Sequence, residues 1–348
     1  MIDYLIIGSG LAGIAFAETA LQNQKKIVVI DNNQNVSSTV AAGLYNPVIL
    51  KRFTAVWNAQ EQLLILDGFY KNLELKLNQT FNFKKPILRK FFSIEEQNNW
   101  FVAADKTGLS PFLSTKLRTD KFQGIDAPYD YGEVKQTGYV DVVSLLNLYK
   151  VYLQDQNFLQ TEIFDHDALV LHNEFIQYKD IKAKHIIFAE GFGMHQNPFF
   201  KDLPLDGAKG ELLIIKAPEL SLDVIVNTSV FILPLGNQLF KVGATYNWED
   251  KTNTPTQAGK EELIDRIKEI ITCDFEIISH FAGVRPTVKD RKPLVGTHQQ
   301  YSNVHILNGL GTRGVMLGPA MAKALFENIE QDIPLPPEIN IKRFVKKK

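Results

Sequence analysis

The chain has 348 residues, 45% hydrophobic and 22% charged, with a formal net charge of -1 at pH 7. That length suffices for two domains with buried cores, and the composition is that of a soluble globular protein without a global positive field to recruit nucleic acid or anionic membrane. A single cysteine, Cys273, excludes intrachain disulfides and thiolate metal clusters, the seven histidines lack metal-ligand spacing, and no apolar run approaches the roughly 18 residues of a membrane span.

The chain opens on the apolar run Tyr4-Leu5-Ile6-Ile7, with no cleavable signal before it, so a cytoplasmic enzyme is expected. Gly8-Ser9-Gly10-Leu11-Ala12-Gly13 follows and leads into an alanine-rich helical stretch. This order predicts strand, tight turn and helix, leaving backbone N–H groups at a helix N-terminus where partial positive charge attracts a pyrophosphate. Gly8 makes the turn, Gly10 lets phosphates approach, and Gly13 lets helix and strand pack closely. A second strand, Ile27-Val28-Val29-Ile30, ends in Asp31, about twenty residues after the motif, where a carboxylate can accept hydrogen bonds from ribose hydroxyls. Together these features predict a dinucleotide site.

A Ser/Thr/Asn-rich loop then reaches Ala41-Ala42-Gly43-Leu44, small residues that allow backbone to lie against a flat ligand. The apolar spacing of Leu63, Leu64, Leu66, Phe69, Tyr70 and Leu73 predicts an amphipathic helix over 57–77. Residues 81–131 read as short aromatic strands and turns. Gly138-Tyr139-Val140-Asp141 leads into a helix with Asp141 as its N-cap. Short β runs follow at 160–163, 168–171 and 175–178, and His185-Ile186-Ile187-Phe188-Ala189 runs into Glu190-Gly191, a second strand-to-glycine junction.

From about residue 203 the pattern turns antiparallel, with Gly236-Asn237 as a hairpin signal, and an amphipathic helix is predicted over 260–271. Gly283-Val284-Arg285-Pro286 comes next. A last strand at 304–307 enters Asn308-Gly309-Leu310-Gly311-Thr312-Arg313-Gly314 and a helix to about 329. Lys342-Arg343 and Lys346-Lys347-Lys348 read as a solvated basic end.

These motifs, in this order and over nearly the whole chain, resemble the D-amino-acid oxidase superfamily of FAD-dependent oxidoreductases, most closely its glycine oxidase and sarcosine oxidase branch. The resemblance implies an α/β fold: a discontinuous FAD-binding Rossmann-like domain (1–78, 138–202 and 283–348) and a largely antiparallel substrate domain (79–137 and 203–282). It implies FAD held by Gly8, Gly10, Leu11, Ala12, Gly13, Asp31, Ala41, Ala42, Gly43, Leu44, Gly191, Gly309, Gly311, Thr312, Arg313, Gly314 and Val315. A helix starting near Gly314 would aim its positive end at the flavin pyrimidine edge. In the family the arginine of the Gly-x-Arg-Pro motif, here Arg285, binds the substrate carboxylate, and its planar fork suits that task. Arg313 is a second candidate for the site.

The chain also departs from the family. Glycine oxidases place a tyrosine on the strand before a proline where this chain has Val230-Phe231-Ile232-Leu233-Pro234, so the second carboxylate contact falls to another residue, such as Tyr246. Cys273 lies before the Arg285 motif rather than near the late turn, so FAD is expected to be noncovalent. Leu310-Gly311-Thr312-Arg313-Gly314 is also similar to the oxidase half of the bacterial enzyme that trims carboxymethylaminomethyl groups on tRNA wobble uridine.

The expected activity is therefore oxidation of the C–N bond of a small amino acid or amine. A hydride goes to flavin, an imine is the product, and oxygen or another electron acceptor reoxidises the cofactor. A tRNA-borne amine and a 2-hydroxy acid are alternative substrates; a nonenzymatic FAD-binding protein and a nicotinamide-dependent dehydrogenase are alternatives to the flavin oxidase. A homo-oligomer stays open, and no metal is expected.

Overall fold

Two eight-stranded sheets organise the computed structural model, which describes residues 1–33 and 36–345; the triplet Lys346-Lys347-Lys348 lies outside the described residues. Ile2–Ile7 sits inside the first sheet, parallel to Ile27–Asp31 on one side and to Ile181–Phe188 on the other. Val304–Asn308 pairs in parallel with the end of Ile181–Phe188, and Leu159–Thr161 extends the other edge. Tyr4, Leu5, Ile6, Ile186 and Ile187 are fully buried. Parallel strands covered on both faces require such unbroken apolar runs, which is why no period-2 alternation marks them. The helices Leu11–Gln22 and Gly314–Gln331 pack together over one face of this sheet.

The second sheet runs Glu276–Arg285, Ala208–Lys216, Leu239–Gly243, Phe231–Gly236, Ile225–Asn227, Ile87–Lys90, Tyr131–Val134, Leu113–Arg118. It is antiparallel except where Ile225–Asn227 meets Ile87–Lys90. The helix Gln257–Lys268 covers it with Leu263 and Ile267, and the Thr256 hydroxyl caps that helix by accepting the Gly259 N–H at 3.0 Å. A three-stranded sheet of Leu44–Tyr45, Gly138–Val140 and Asn82–Lys84 lies between the two parts of the chain.

The expected helices appear as Ala59–Leu77 and Val142–Asp155, the latter capped by Asp141, which accepts the Ser144 N–H at 3.2 Å. Two segments differ from the sequence reading. Residues 81–131 contain the helix Ile94–Ala104, and the loop after Asp31 contains the short helix Val36–Val40. Ile94–Ala104 starts at a variant of the capping box: Ser93 Oγ accepts from Glu96 N at 3.2 Å, and Glu96 Oε2 reaches back to accept from Phe92 N, one residue before the cap, at 3.0 Å. Its buried face is only Trp100, Ala103 and Ala104, too few residues to give a clear period. Among the described residues, no helix is long and apolar enough to cross a membrane.

Candidate active site

A cavity of about 510 Å³ opens between the two sheets. The first sheet presents the carboxyl ends of its parallel strands, the edge at which open α/β sheets bind ligands. These ends are tied together. Gly8 N donates to Ile30 O and Ala189 N to Ile7 O, each at 2.8 Å, and Asn308 Nδ2 donates to Gly191 O at 2.9 Å. The second sheet contributes Gly210, Leu212, Phe231, Gly243 and the end of the Glu276–Arg285 strand.

Of the sequence-predicted residues, Gly10, Leu11, Ala12, Ala41, Ala42, Gly43, Leu44, Gly191, Tyr246, Arg285, Gly311, Thr312, Gly314 and Val315 line the cavity together. Gly8, Gly13, Asp31, Gly309 and Arg313 are not part of that lining. Gly8 has φ +99°, and a Cβ there would come 2.6 Å from Ala189 O, so only glycine fits the turn. A Cβ on Gly13 would overlap Gly8 O, which is the close helix–strand approach expected of it. Asp31 is buried and accepts N–H groups from Ser9 and Asn33, each at 2.6 Å, so its carboxylate holds the glycine turn against the second strand.

These residues fit a dinucleotide. The Leu11–Gln22 helix begins at Gly10, which has no side chain to cap it, and the Gly314–Gln331 helix likewise carries no side-chain cap. Both helix N-termini face the cavity through Leu11, Ala12, Gly314 and Val315. Their first-turn N–H groups therefore meet the cavity with the positive end of each dipole. Ser37 and Ser38, on the short helix absent from the sequence reading, also line it. Ser38 Oγ accepts from Leu11 N at 3.4 Å, and Ser37 Oγ donates to Val284 O at 2.5 Å, so the short helix links the start of the Leu11–Gln22 helix to the second sheet.

At the other end lies Arg285. Its Nη1 donates to Thr245 O at 3.2 Å and Lys209 O at 3.4 Å, and its guanidinium stacks on the Tyr246 ring, 4.5 Å from the centroid. A Cβ on Gly210 would overlap the guanidinium, so the arginine lies directly on bare backbone. Burial lowers the pKa of Arg285, and that of Arg313 in the same way. Among the described residues neither forms an ion pair with a carboxylate; Asp290, a few positions on in the chain, is held by Arg343 at 2.8 Å. A desolvated guanidinium without an anion is an unfavourable arrangement that an anionic ligand relieves. Two more cation–aromatic pairs sit in the same stretch of chain: Arg291 with Trp248 at 4.6 Å and Lys292 with Trp57 at 5.1 Å.

Behind this end is a buried charged cluster that the sequence reading did not single out. Lys209 and Glu211 flank Gly210 on the strand Ala208–Lys216 and are 1% and 3% exposed. Lys209 Nζ donates to Asp250 Oδ2 at 2.5 Å, to Thr252 Oγ1 at 3.3 Å and to Thr254 O. The hydrogen bond from Lys209, with backbone and hydroxyl donors of Thr252, holds the Asp250 carboxyl down at about 2. Glu211 accepts from Thr256 Oγ1 at 2.7 Å and Thr256 N at 2.9 Å, with His280 Nε2 2.7 Å away. Alternating polar residues on an otherwise apolar strand were the available signal.

Comparison with known proteins gives a consistent family. The description "FAD dependent oxidoreductase" matches residues 3–328. Glycine oxidase of Bacillus subtilis (strain 168) is 30% identical over 211 residues, covering 56% of each chain. The tRNA 5-methylaminomethyl-2-thiouridine biosynthesis bifunctional protein of Legionella pneumophila (strain Corby) is 20% identical over 392 residues, covering 99% of this chain and 57% of that protein. The chain thus spans about half the length of the curated relatives it matches. The crystal structure of glycine oxidase from Geobacillus kaustophilus superposes with a TM-score of 0.78 at 15% identity, covering 99% of both chains.

Proposed function

The chain belongs to the FAD-dependent oxidoreductase family, and we propose that within it this protein oxidises the C–N bond of a small amino acid or secondary amine. The observation that carries the reading is Arg285: desolvated, without a carboxylate partner, stacked on Tyr246 and facing the cavity. A free amino acid supplies the missing anion.

Gly10, Leu11 and Ala12 would hold the FAD pyrophosphate, Asp31 would support the adenosine ribose, and Ala41, Ala42, Gly43, Leu44, Thr312, Gly314 and Val315 would lie along the flavin. Cys273 packs against the apolar core of the second sheet and is not part of the cavity lining, which supports noncovalent binding. Bound FAD supplies the two-electron acceptor for the hydride leaving the carbon next to the amine. The chain's own residues orient and desolvate: Arg285 fixes the carboxylate in two-pronged geometry, and Leu212, Val230 and Phe231 form an apolar wall that excludes water. The imine product then hydrolyses to a carbonyl compound and free amine, and the two electrons pass to oxygen, giving peroxide, or to another acceptor.

The test is anaerobic bleaching of bound flavin with amino acids, N-substituted glycines, 2-hydroxy acids and carboxylate-free amines. Bleaching by 2-hydroxy acids but by no amine would replace this reading.

A second reading, an amine carried on RNA, is favoured by the cation–aromatic pairs Arg285/Tyr246, Arg291/Trp248 and Lys292/Trp57. Rings beside cations suit unpaired bases and phosphates. It requires that tRNA bearing carboxymethylaminomethyl uridine bleach the flavin faster than free amino acids do, and that the rate fall steeply with salt.

A further inference from the structure

Residues 245–256 form a loop leaving the Leu239–Gly243 strand and entering the Gln257–Lys268 helix. The loop places Tyr246 on the Arg285 guanidinium and Asn253 in the cavity wall, where Asn253 Oδ1 also accepts from Val284 N at 3.1 Å. Two buried side chains bind it from behind: Glu211 holds its helix end by accepting from Thr256 N and Oγ1, and Lys209 holds its middle. The Lys209 ammonium has three N–H donors, and its three hydrogen-bond acceptors, Asp250, Thr252 and Thr254, belong to this loop, with Glu211 Oε1 of its own strand 3.9 Å away. The Lys209 backbone exchanges hydrogen bonds with Asn247, at 2.8 and 3.0 Å, and its carbonyl is one of the two acceptors of Arg285 Nη1. A single residue therefore touches both the loop and the substrate arginine.

We infer that Lys209 is a positioning residue for substrate-carboxylate recognition: from outside the cavity it latches the 245–256 loop to the Gly210 strand, and so fixes Tyr246 and Asn253 around Arg285. This rests on the reading of Arg285 as the carboxylate binder. Burying an ammonium is unfavourable unless its donors are all met in good geometry. An apolar side chain of similar length could fill the same volume; what only the ammonium supplies is three directed bonds that select one loop conformation. Lys209 remains remote from the reacting carbon, so its loss acts on how the carboxylate is held and not on the oxidation step.

The experiment uses the FAD-loaded full chain as Lys209→Met, which keeps the apolar stem, Lys209→Arg, which keeps the charge, and Asp250→Asn, which loosens the same contact from its more exposed side. Two quantities are read: KM and kcat for an amino-acid substrate against the same amine without its carboxylate, and the rate of trypsin cleavage after Lys251, inside the loop. Lys209→Met is expected to raise the amino-acid KM roughly ten- to a hundredfold, to leave kcat within about threefold and the KM of the carboxylate-free amine unchanged, and to speed cleavage after Lys251. Asp250→Asn moves both readouts the same way by less, and Lys209→Arg recovers part of the loss. If Lys209→Met fails to fold, Asp250→Asn carries the comparison. Equal losses for both substrates, or faster cleavage with an unchanged amino-acid KM, overturns the inference. Failure of the parent protein to turn over any carboxylated amine overturns the oxidase reading instead; the cleavage rate then tests the latch alone, and unchanged cleavage in Lys209→Met removes it.

Discussion

The guanidinium of Arg285 lies directly against the backbone of Gly210, a residue 75 positions earlier in the chain, because that residue has no Cβ. The two strands that carry them are hydrogen-bonded neighbours, with Gly210 opposite Gly283 and Ala208 opposite Arg285. Strand pairing thus delivers the arginine, and a missing side chain leaves room for it.

Gly210→Ala should therefore displace Arg285 without unfolding the protein. The backbone at 210 does not have positive φ, and the atoms an added methyl would meet are the far end of a flexible side chain. The arginine must swing aside, and a misplacement of about 1 Å in a positioning group costs on the order of a hundredfold in rate. Steady-state kinetics should show that loss in kcat/KM for amino acids, with FAD content and thermal midpoint close to the parent's. An unaffected kcat/KM would mean that this arrangement is irrelevant to turnover.

Asp31 is expected to matter for the cofactor both directly and through the glycine turn that it orders. Its carboxylate already orders the glycine turn through Ser9 N, and a ribose hydroxyl would add a charge-assisted bond worth about 1.5 to 3 kcal/mol. Asp31→Ala should weaken FAD binding by roughly 10- to 150-fold, measured by flavin fluorescence titration of the apoprotein. The released flavin should be intact FAD, with none left on the denatured chain.

The part of the cavity proposed to hold the cofactor was legible in the sequence because it is local. A strand, a glycine turn and a helix start within thirteen residues place Gly10, Leu11 and Ala12 before any tertiary contact is known, and the Gly311–Val315 turn repeats that logic. The part around Arg285, proposed to hold the substrate, was only partly legible. Arg285 carried a motif, but Gly210, Asn253 and Lys209 reach it through strand pairing and a loop latch across long sequence separations, which no periodicity encodes. The short Val36–Val40 helix was hidden by a Ser/Thr/Asn-rich composition that favours loops. The Ile94–Ala104 helix did leave a signal, the Ser93/Glu96 capping-box spacing, beside a buried face too small to show periodicity.

Acid should destabilise the fold through the first sheet. His185 Nδ1 and His305 Nε2 are 3.1 Å apart, and His305 Nδ1 is 2.9 Å from Thr297 Oγ1. One ring nitrogen must donate and the other accept, so protonating the acceptor breaks the bond. Burial, with the neighbouring His185, pushes the His305 pKa well below its ordinary value; burial also lowers that of His185. The unfolded chain therefore takes up protons below about pH 6.5 that the folded chain refuses, and stability falls with decreasing pH from there until the folded-state pKa is reached. One buried imidazole contributes about 1.4 kcal/mol per pH unit in that window, a loss of roughly 2 to 4 °C in Tm. Thermal melts between pH 7.5 and 5 should show it, and His305→Asn should flatten the slope. Parallel slopes in parent and variant would assign the acid sensitivity elsewhere.

Arg285 itself gives the most discriminating prediction. Its Nη1 is occupied by Thr245 O and Lys209 O, and the Tyr246 ring covers the group 4.5 Å away, so the rest of the fork is available to a carboxylate. Arg285→Ala leaves that carboxylate without a partner in a largely dry cavity, a loss of about 2 to 5 kcal/mol. In kcat/KM this is roughly a 30- to several-thousand-fold fall, with FAD retained. Arg285→Lys keeps the charge but not the two-pronged geometry, so it should recover only part of the loss. The control is an amine substrate lacking a carboxylate, whose turnover should hardly respond to either substitution. If Arg285→Ala oxidises amino acids as fast as the parent, another group holds the carboxylate; if both substrates lose activity together, Arg285 acts on the cavity as a whole and the specific clamp is wrong.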